Sequence, residues 1–190
     1  MQDKKKISSI KKKALISVVI PVFNEEDTID SFYKSISEFL KTSKQISDIE
    51  IIFIDDGSKD GTAKKINSIR LVDNRVKLIS FTKNHGVNTA FSAGLDFATG
   101  DCLIFLDADN QYPITILDDF VRGWKNNNKI IFAKRRNYRP KRLFKFMSVI
   151  FTKFINVTSS ISLDNDTSYV CLIDRHIIEI LKSLNEKCTM

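Results

Sequence analysis

Two aspartates separated by one residue, Asp107 and Asp109, directly follow the apolar run Cys102–Leu106. Carboxylate oxygens are the hard ligands that Mg²⁺ or Mn²⁺ prefers, and two of them leave most coordination positions to water and substrate phosphates. Gln111 follows two residues later and offers an amide oxygen as a further ligand. A metal held in this way bridges a diphosphate and stabilises it as a leaving group. The spacing therefore predicts a divalent-metal site for a nucleotide diphosphate.

Carboxylates also follow two earlier apolar runs. Glu25 comes shortly after Leu15–Val22, and Asp55 and Asp56 follow Ile49–Ile54. Ligands of a parallel α/β sheet bind at the carboxyl ends of its strands, so we expect these groups and the Asp-x-Asp pair along one edge. Like charges gathered there are costly unless a cation or a donor-rich ligand compensates them.

Short apolar runs alternate with segments of helical spacing along the first two thirds of the chain. This alternation predicts an α/β fold, with a doubly wound, mostly parallel sheet and helices on both faces. The predicted strands are Leu15–Val22, Ile49–Ile54, Val76–Phe81, Cys102–Leu106 and Ile130–Ala133. The predicted helices are Ile29–Leu40, Ala63–Leu71, Asn84–Ala98, Thr115–Trp124, Arg139–Val157 and Arg175–Leu184.

Composition excludes several other classes of protein. The chain has 190 residues, of which 43% are hydrophobic and 28% charged, as expected for one globular domain. Three scattered cysteines provide neither a disulfide framework nor a cysteine zinc site, and they favour a reducing, cytosolic location. No uncharged apolar stretch approaches the roughly 18 residues of a membrane span. The glycine motifs of P-loop and dinucleotide-binding proteins do not occur in the sequence.

The net charge of +7 is concentrated in two segments. Residues 1–13 hold six lysines and one acidic residue, and residues 134–153 hold eight basic residues and no acidic one. Within the second segment, the predicted helix alternates basic with aromatic and aliphatic residues, which is typical of a helix lying on a membrane surface. The acidic remainder argues against a nucleic-acid partner.

Five motifs occur in a fixed order and carry a resemblance. They are Pro21-Val22-Phe23-Asn24-Glu25-Glu26, Asp55-Asp56-Gly57-Ser58-Lys59-Asp60-Gly61-Thr62, Lys83-Asn84-His85-Gly86, Ala93-Gly94-Leu95-Asp96 and Asp107-Ala108-Asp109-Asn110-Gln111-Tyr112-Pro113. Together they closely resemble family 2 glycosyltransferases of the GT-A (Rossmann-like) fold, in particular the branch of dolichol-phosphate mannose synthase and bacterial undecaprenyl-phosphate glycosyltransferases. The resemblance covers residues 15–136 strongly and 137–185 loosely.

The resemblance implies an inverting transfer of a sugar from a UDP- or GDP-linked donor. It implies that the nucleotide pocket is lined by Pro21, Phe23, Glu25, Asp55 and Asp56, with one of the aspartates accepting from an N–H of the base. It also implies that Asp107, Asp109 and Gln111 hold Mg²⁺ or Mn²⁺. Arg135 or Arg136 would contact phosphate. Lys83 stands where an arginine is common, so it keeps the charge but loses the planar fork.

Three parts of one domain follow from these patterns. We expect a basic N-terminal tail over residues 1–13 and a nucleotide-sugar-binding GT-A core over residues 14–136. Residues 137–190 then supply the basic amphipathic helix, with membrane contact over 137–157, and the acceptor side. Relatives in this branch often carry transmembrane helices after the catalytic domain. We therefore expect either a peripheral protein on the cytoplasmic face of the membrane or the soluble part of a membrane protein.

The sequence leaves open which group accepts the sugar. A polyprenyl phosphate is already anionic and needs no general base, and the basic segment suits it. A hydroxyl acceptor in surface polysaccharide or glycolipid would need a base, for which Asp118, Asp164 and Asp166 are candidates. The branch usually has a D-F-R-L-type element where this chain has Ser168–Leu172. That departure keeps open a non-catalytic module that binds membrane or nucleotide-sugar.

Overall fold

The computed structural model describes residues 14–109, 112–134 and 167–183. Six strands lie in these ranges: β1 Leu15–Val22, β2 Asp48–Asp55, β3 Val76–Ser80, β4 Cys102–Phe105, β5 Ile130–Lys134 and β6 Thr167–Asp174. Five helices accompany them: α1 Glu26–Thr42, α2 Thr62–Val72, α3 Val87–Phe97, α4 Ile116–Lys125 and α5 Arg175–Ser183. The predicted tail over 1–13 and the predicted helix Arg139–Val157 lie outside the described residues.

The six strands form one sheet in the order β3-β2-β1-β4-β6-β5. The first four are parallel, and β6 runs antiparallel to both β4 and β5. The predicted α/β architecture with a mostly parallel sheet is confirmed, and β1 covers the predicted residues. The division into 1–13, 14–136 and 137–190 stays a prediction.

Strand β6 was not predicted from the sequence, so the expectation of five strands was wrong. It lies between β4 and β5, with Cys171 opposite Phe105 on one side and Phe132 on the other. Its neighbours are distant in the sequence, so local spacing alone does not reveal how it pairs. The apolar run Val170–Ile173 was the available signal, and its residues are buried.

Both faces of the sheet are covered by helices. Alternate side chains of each buried strand point to opposite faces, so that Val18 and Ile20 lie in one hydrophobic cluster and Val19 lies in the other. Helices α1, α2 and α4 pack in the first cluster, and α3 and α5 pack in the second. This double cover explains why the strands are continuous apolar runs rather than alternating ones.

Helix α3 begins three residues later than predicted. We expected it from Asn84, but it starts at Val87, after Gly86 in a left-handed backbone conformation (φ 87°). The backbone N–H groups of His85 and Gly86 are bound by a carboxylate of another loop, described below, and not by a helix. Residues 81–86 therefore form a loop at the carboxyl ends of the strands.

A buried polar cluster lies at the opposite edge, where the parallel strands begin. Glu50 of β2 accepts hydrogen bonds from Ser17 Oγ (2.5 Å), Lys77 Nζ (2.6 Å) and the backbone N–H of Thr99 (2.6 Å). Burial raises the pKa of Glu50, but these hydrogen bonds outweigh it, and the pKa lies below its usual value. We call these residues, together with Gly100, the Glu50 cluster.

Asp174 is satisfied in a similar way at the end of β6. One carboxylate oxygen accepts from Trp124 Nε1 (2.6 Å) and Lys129 Nζ (3.1 Å), and the other accepts from the N–H of His176 (3.1 Å). The last contact caps α5, as the sequence predicted.

Within the described residues, no helix combines the length and the apolar content that crossing a bilayer would require.

Candidate functional site

Four loops meet where the carboxyl ends of the parallel strands lie side by side, which we call the carboxyl edge. They follow β1, β2, β3 and β4 and comprise residues 23–25, 56–61, 81–86 and 106–109, which we call the carboxyl-edge loops. Hydrogen bonds between neighbouring strand ends continue into them: Asp56 N donates to Val22 O, and Leu106 N donates to Val19 O. The predicted acidic residues therefore lie on the one edge where a ligand of this sheet class binds.

The loop after β1 carries three of the predicted site residues. Pro21 is half-buried opposite Ile54 in the sheet, and Phe23 has 41% of its surface exposed. Glu25 is half-buried, and its Oε2 accepts from Thr28 Oγ1 at 2.6 Å. A solvent-facing aromatic ring beside a held carboxylate offers both a stacking surface and a hydrogen-bond acceptor.

The loops after β1 and β2 are fastened to each other by reciprocal hydrogen bonds. Asn24, in a left-handed conformation (φ 53°), donates its N–H to Ser58 Oγ and accepts from Lys59 N, both at 2.9 Å. Glu26 N donates to Asp60 Oδ2 at 3.2 Å, and Gly61 N donates to Glu26 Oε2 at 2.8 Å. These contacts fix the two loops before any ligand arrives. Asn24 was not among the predicted site residues, although asparagine is one of the few side-chain-bearing residues that readily adopts a left-handed conformation.

Asp55 and Asp56 are both buried, with 3% and 5% of their surfaces exposed, but their oxygens are used differently. Asp55 Oδ1 accepts from the N–H of Ser58 at 3.0 Å, and no group in the described part of the chain donates to Oδ2. Asp56 has both oxygens engaged, by the N–H groups of His85 (2.7 Å) and Gly86 (2.8 Å). Asp55 therefore has one oxygen that receives no hydrogen bond from the described residues, whereas each oxygen of Asp56 receives one.

The Asp-x-Asp pair lies directly after β4. Asp107 is half-buried and Asp109 is exposed, so both carboxylates lie at the surface of the carboxyl edge. Gln111, the third predicted ligand, lies outside the described residues. The described residues contain no group of three or more His, Cys, Asp or Glu side chains that could hold a metal ion. Two carboxylates alone suit a cation that takes its other ligands from water and substrate phosphates.

The predicted cationic residues are only partly described. Lys83 is exposed in the loop after β3. Arg135 and Arg136 lie outside the described residues, as do the candidate bases Asp164 and Asp166. The third candidate base, Asp118, accepts from Ser43 Oγ at 2.5 Å, a residue that caps the far end of α1. That contact gives Asp118 a structural role.

An open hollow of about 640 Å³ lies elsewhere on the molecule, between α1 and Arg75. It is lined by Tyr33, Lys34, Ser37, Glu38, Leu40, Lys41 and Arg75. None of these residues belongs to the carboxyl-edge loops. The hollow therefore does not coincide with the predicted site residues. The candidate site is the carboxyl edge, where those residues lie.

The sequence matches the family model described as glycosyl transferase family 2 over residues 17–181. The chain belongs to this family. The resemblance inferred from the five motifs is thereby confirmed. The match extends through β6 and most of α5, beyond the part of the chain in which the motifs lie.

Known proteins agree with this assignment. The chain is 37% identical over 173 residues to the prophage bactoprenol glucosyl transferase homolog of Escherichia coli K12, covering 90% of this chain and 56% of that protein. It is similar to the mannosyltransferase PcManGT of Pyrobaculum calidifontis, solved with GDP-Man and Mn²⁺ (TM-score 0.59, 19% identity, 90% of this chain and 47% of the other). It is also similar to the glucosyl-3-phosphoglycerate synthase of Mycobacterium tuberculosis, solved with Mn²⁺, UDP and phosphoglyceric acid (TM-score 0.59, 24% identity, 86% and 57%).

The structural similarity confirms the predicted GT-A fold. At these identities it shows the fold alone. The chain spans about half the length of the curated relatives that it matches.

Proposed function

We propose that this chain is the catalytic domain of a metal-dependent, inverting glycosyltransferase. It transfers a sugar from a nucleotide-sugar to a polyprenyl phosphate at the cytoplasmic face of the membrane. The observation that carries the proposal is the 37% identity over 90% of the chain to a bactoprenol glucosyl transferase homolog, since bactoprenol is a polyprenol. The acidic carboxyl edge supplies the chemistry that such a donor needs.

The donor's base is held by the loops after β1 and β2. Asp55 is our choice as acceptor for an N–H of the base, because its Oδ2 receives no hydrogen bond from the described residues. The exposed ring of Phe23 and the half-buried Pro21 and Glu25 complete this side of the pocket. Uracil and guanine both present ring N–H groups, so these contacts accept either a UDP- or a GDP-sugar.

The diphosphate is held at the end of β4. Asp107 and Asp109 supply the ligands of a divalent cation, and Gln111 adds a third. Two solved proteins of the same fold contain Mn²⁺, which supports a metal here, and Mg²⁺ meets the same preference for oxygen ligands. When bound, the metal neutralises charge on the leaving nucleoside diphosphate. Lys83, Arg135 and Arg136 are the cations of this chain that we assign to phosphate.

The acceptor needs positioning rather than deprotonation. A phosphate monoester with a second pKa of about 6 is largely dianionic at neutral pH, so its oxygen attacks the anomeric carbon without a general base. Attack from the face opposite the diphosphate inverts the configuration there. Of the three candidate bases for a hydroxyl acceptor, Asp118 already accepts a hydrogen bond from Ser43 at the end of α1. The basic residues of 134–153 suit a phosphate at a membrane surface.

The test is release of nucleoside diphosphate by the full chain with Mg²⁺ or Mn²⁺. UDP-glucose, UDP-N-acetylglucosamine and GDP-mannose are each offered with and without undecaprenyl phosphate in vesicles. We expect release from one donor that requires both the metal and the lipid, and a lipid product of inverted anomeric configuration. Release stimulated by a glycan and not by the lipid would favour the hydroxyl acceptor. Tight donor binding without any release would favour the non-catalytic module.

A further inference from the structure

The turn after β2 and the loop after β3 are in unusually close contact. The Asp56 carboxylate accepts one backbone N–H on each oxygen, from His85 at 2.7 Å and from Gly86 at 2.8 Å. Asp56 is buried to a similar degree as Asp55 (5% and 3% exposed), and it differs from Asp55 in that each of its two oxygens holds a backbone N–H of the loop after β3. Charge-assisted hydrogen bonds to a buried carboxylate are among the stronger ones in proteins, so the pair holds the backbone of residues 85 and 86 firmly.

Gly57 is a second point at which the turn after β2 and the loop after β3 are in close contact. A Cβ atom built on Gly57 would lie 2.5 Å from the carbonyl carbon of Lys83, 2.7 Å from its Cα and 2.8 Å from Asn84 N. Gly57 also has φ +75°, which side-chain-bearing residues rarely adopt. The backbone of Lys83 therefore rests directly on the backbone of Gly57, a contact that only glycine permits.

The rest of the loop is braced from within. The rings of Phe81 and His85 meet edge to face with centroids 5.7 Å apart, and Thr89 Oγ1 donates to His85 O at 3.1 Å. Gly86, at φ +87°, then turns the chain into α3. Lys83 belongs to this braced loop, and its side chain is exposed at the carboxyl edge.

We propose that the Asp56–Gly57 turn is a positioning element of the donor site, which fixes Lys83 by clamping residues 83–86 and does not itself contact the donor. This inference rests on the proposed function, in which Lys83 contacts the donor's phosphates. It separates two adjacent aspartates of one motif: Asp55 binds, and Asp56 positions. Loss of Asp56 then acts on the donor through Lys83.

The experiment is a double-mutant cycle on nucleotide affinity. Calorimetry measures binding of UDP and of GDP, each with Mn²⁺, to the full chain and to Lys83→Ala, Asp56→Asn and the double variant. Removing a hydrogen bond to a charged group lowers affinity by about tenfold or more, so we expect that loss for Lys83→Ala and a comparable one for Asp56→Asn. The double variant should bind about as weakly as either single variant, because both remove the same interaction.

Asp101→Asn is the matched control. Asp101 also accepts a backbone N–H through its carboxylate, from Leu15 at 2.9 Å, but it does so away from the carboxyl edge. This variant should retain wild-type affinity. Gly57→Ala is a second route to the same disturbance, through the contact with Lys83, and should also lose its effect when Lys83 is already alanine.

Hydrogen exchange separates the possible outcomes. Amides of residues 82–87 should exchange faster in Asp56→Asn than in the wild type, and at the wild-type rate in Asp101→Asn. Losses of affinity that multiply in the double variant would overturn the proposal, since Asp56 would then act independently of Lys83. Unchanged exchange with normal nucleotide binding would overturn it as well. If the wild type bound neither nucleotide, the proposed function itself would fail.

Discussion

The two edges of the parallel sheet treat their carboxylates in opposite ways. At the edge where the strands begin, Glu50 is paired with Lys77 and has further donors from Ser17 and Thr99. At the carboxyl edge, Asp55 and Asp56 form no ion pair with any described Lys or Arg, and backbone N–H groups satisfy them instead. Lys77 neutralises the charge of Glu50, whereas the negative charges of Asp55 and Asp56 are held in place by neutral backbone donors.

The comparison also separates two uses of a buried acid. The Glu50 cluster joins three strands and the loop before β4, because Gly100 N donates to both Ser17 Oγ (2.8 Å) and Glu50 Oε1 (3.2 Å). Its contribution is to the stability of the sheet. Loops at the carboxyl edge are held by bonds of the same kind, but they surround residues that remain exposed, such as Phe23 and Asp109.

The largest expected effect is on turnover at the carboxyl edge. Asp107→Asn or Asp109→Asn should lower kcat by about 10²–10³-fold or more, because each removes a carboxylate ligand of the cation that would neutralise the departing diphosphate. Nucleoside diphosphate release measures this, and the thermal midpoint should change little. Asp101→Asn serves as the control of equal chemistry outside the site. Turnover that survives in both Asp107 and Asp109 variants would contradict the metal assignment.

The second effect is on stability at the opposite edge. Glu50→Gln should reduce the free energy of unfolding by about 2–3 kcal/mol, since it weakens hydrogen bonds to a charged acceptor and leaves buried donors poorly paired. Urea unfolding followed by circular dichroism measures the change. Lys77→Met should cost less, because Lys77 is about half exposed (48%) and the other donors to Glu50 remain. Glu50→Gln should leave the nucleotide affinity of the folded protein unchanged. A fall in that affinity would contradict the separate roles of the two edges.

The smallest effect is the dependence of stability on pH. Hydrogen bonds from Arg75 lower the pKa of Asp73 to about 2, and the pKa values of Glu50 and Asp174 also lie below their usual range. The unfolded chain therefore binds protons at a higher pH than the folded chain does, and stability falls as the pH is lowered from about 5 towards 2. Urea unfolding at a series of pH values measures the slope. Glu50→Gln should flatten it, and an unchanged slope would mean that Glu50 contributes nothing to it.

Sequence patterns predicted the parts of this molecule that depend on local spacing. The runs that became β1 to β5 were recognisable because strands buried on both faces are continuously apolar, and their ends placed Asp55 and Asp107 on one edge. What could not be predicted depends on distant partners. Strand β6 is defined by pairing with β4 and β5, and the roles of Asp55 and Asp56 diverge only because a loop about 30 residues later supplies two N–H groups.

The position of β6 has a consequence for how the chain folds. Strand β5 pairs with β6 and is not hydrogen-bonded to β4, so it has no partner in the sheet until residues 167–174 have been synthesised. A growing chain that ends after β5 exposes the open side of β4 and an unpaired apolar strand, which is a hazard for aggregation. We therefore expect β6 to complete the sheet late in folding. Until β6 has paired, β4 has no neighbouring strand on one side, and the loop that bears Asp107 and Asp109 follows directly from β4.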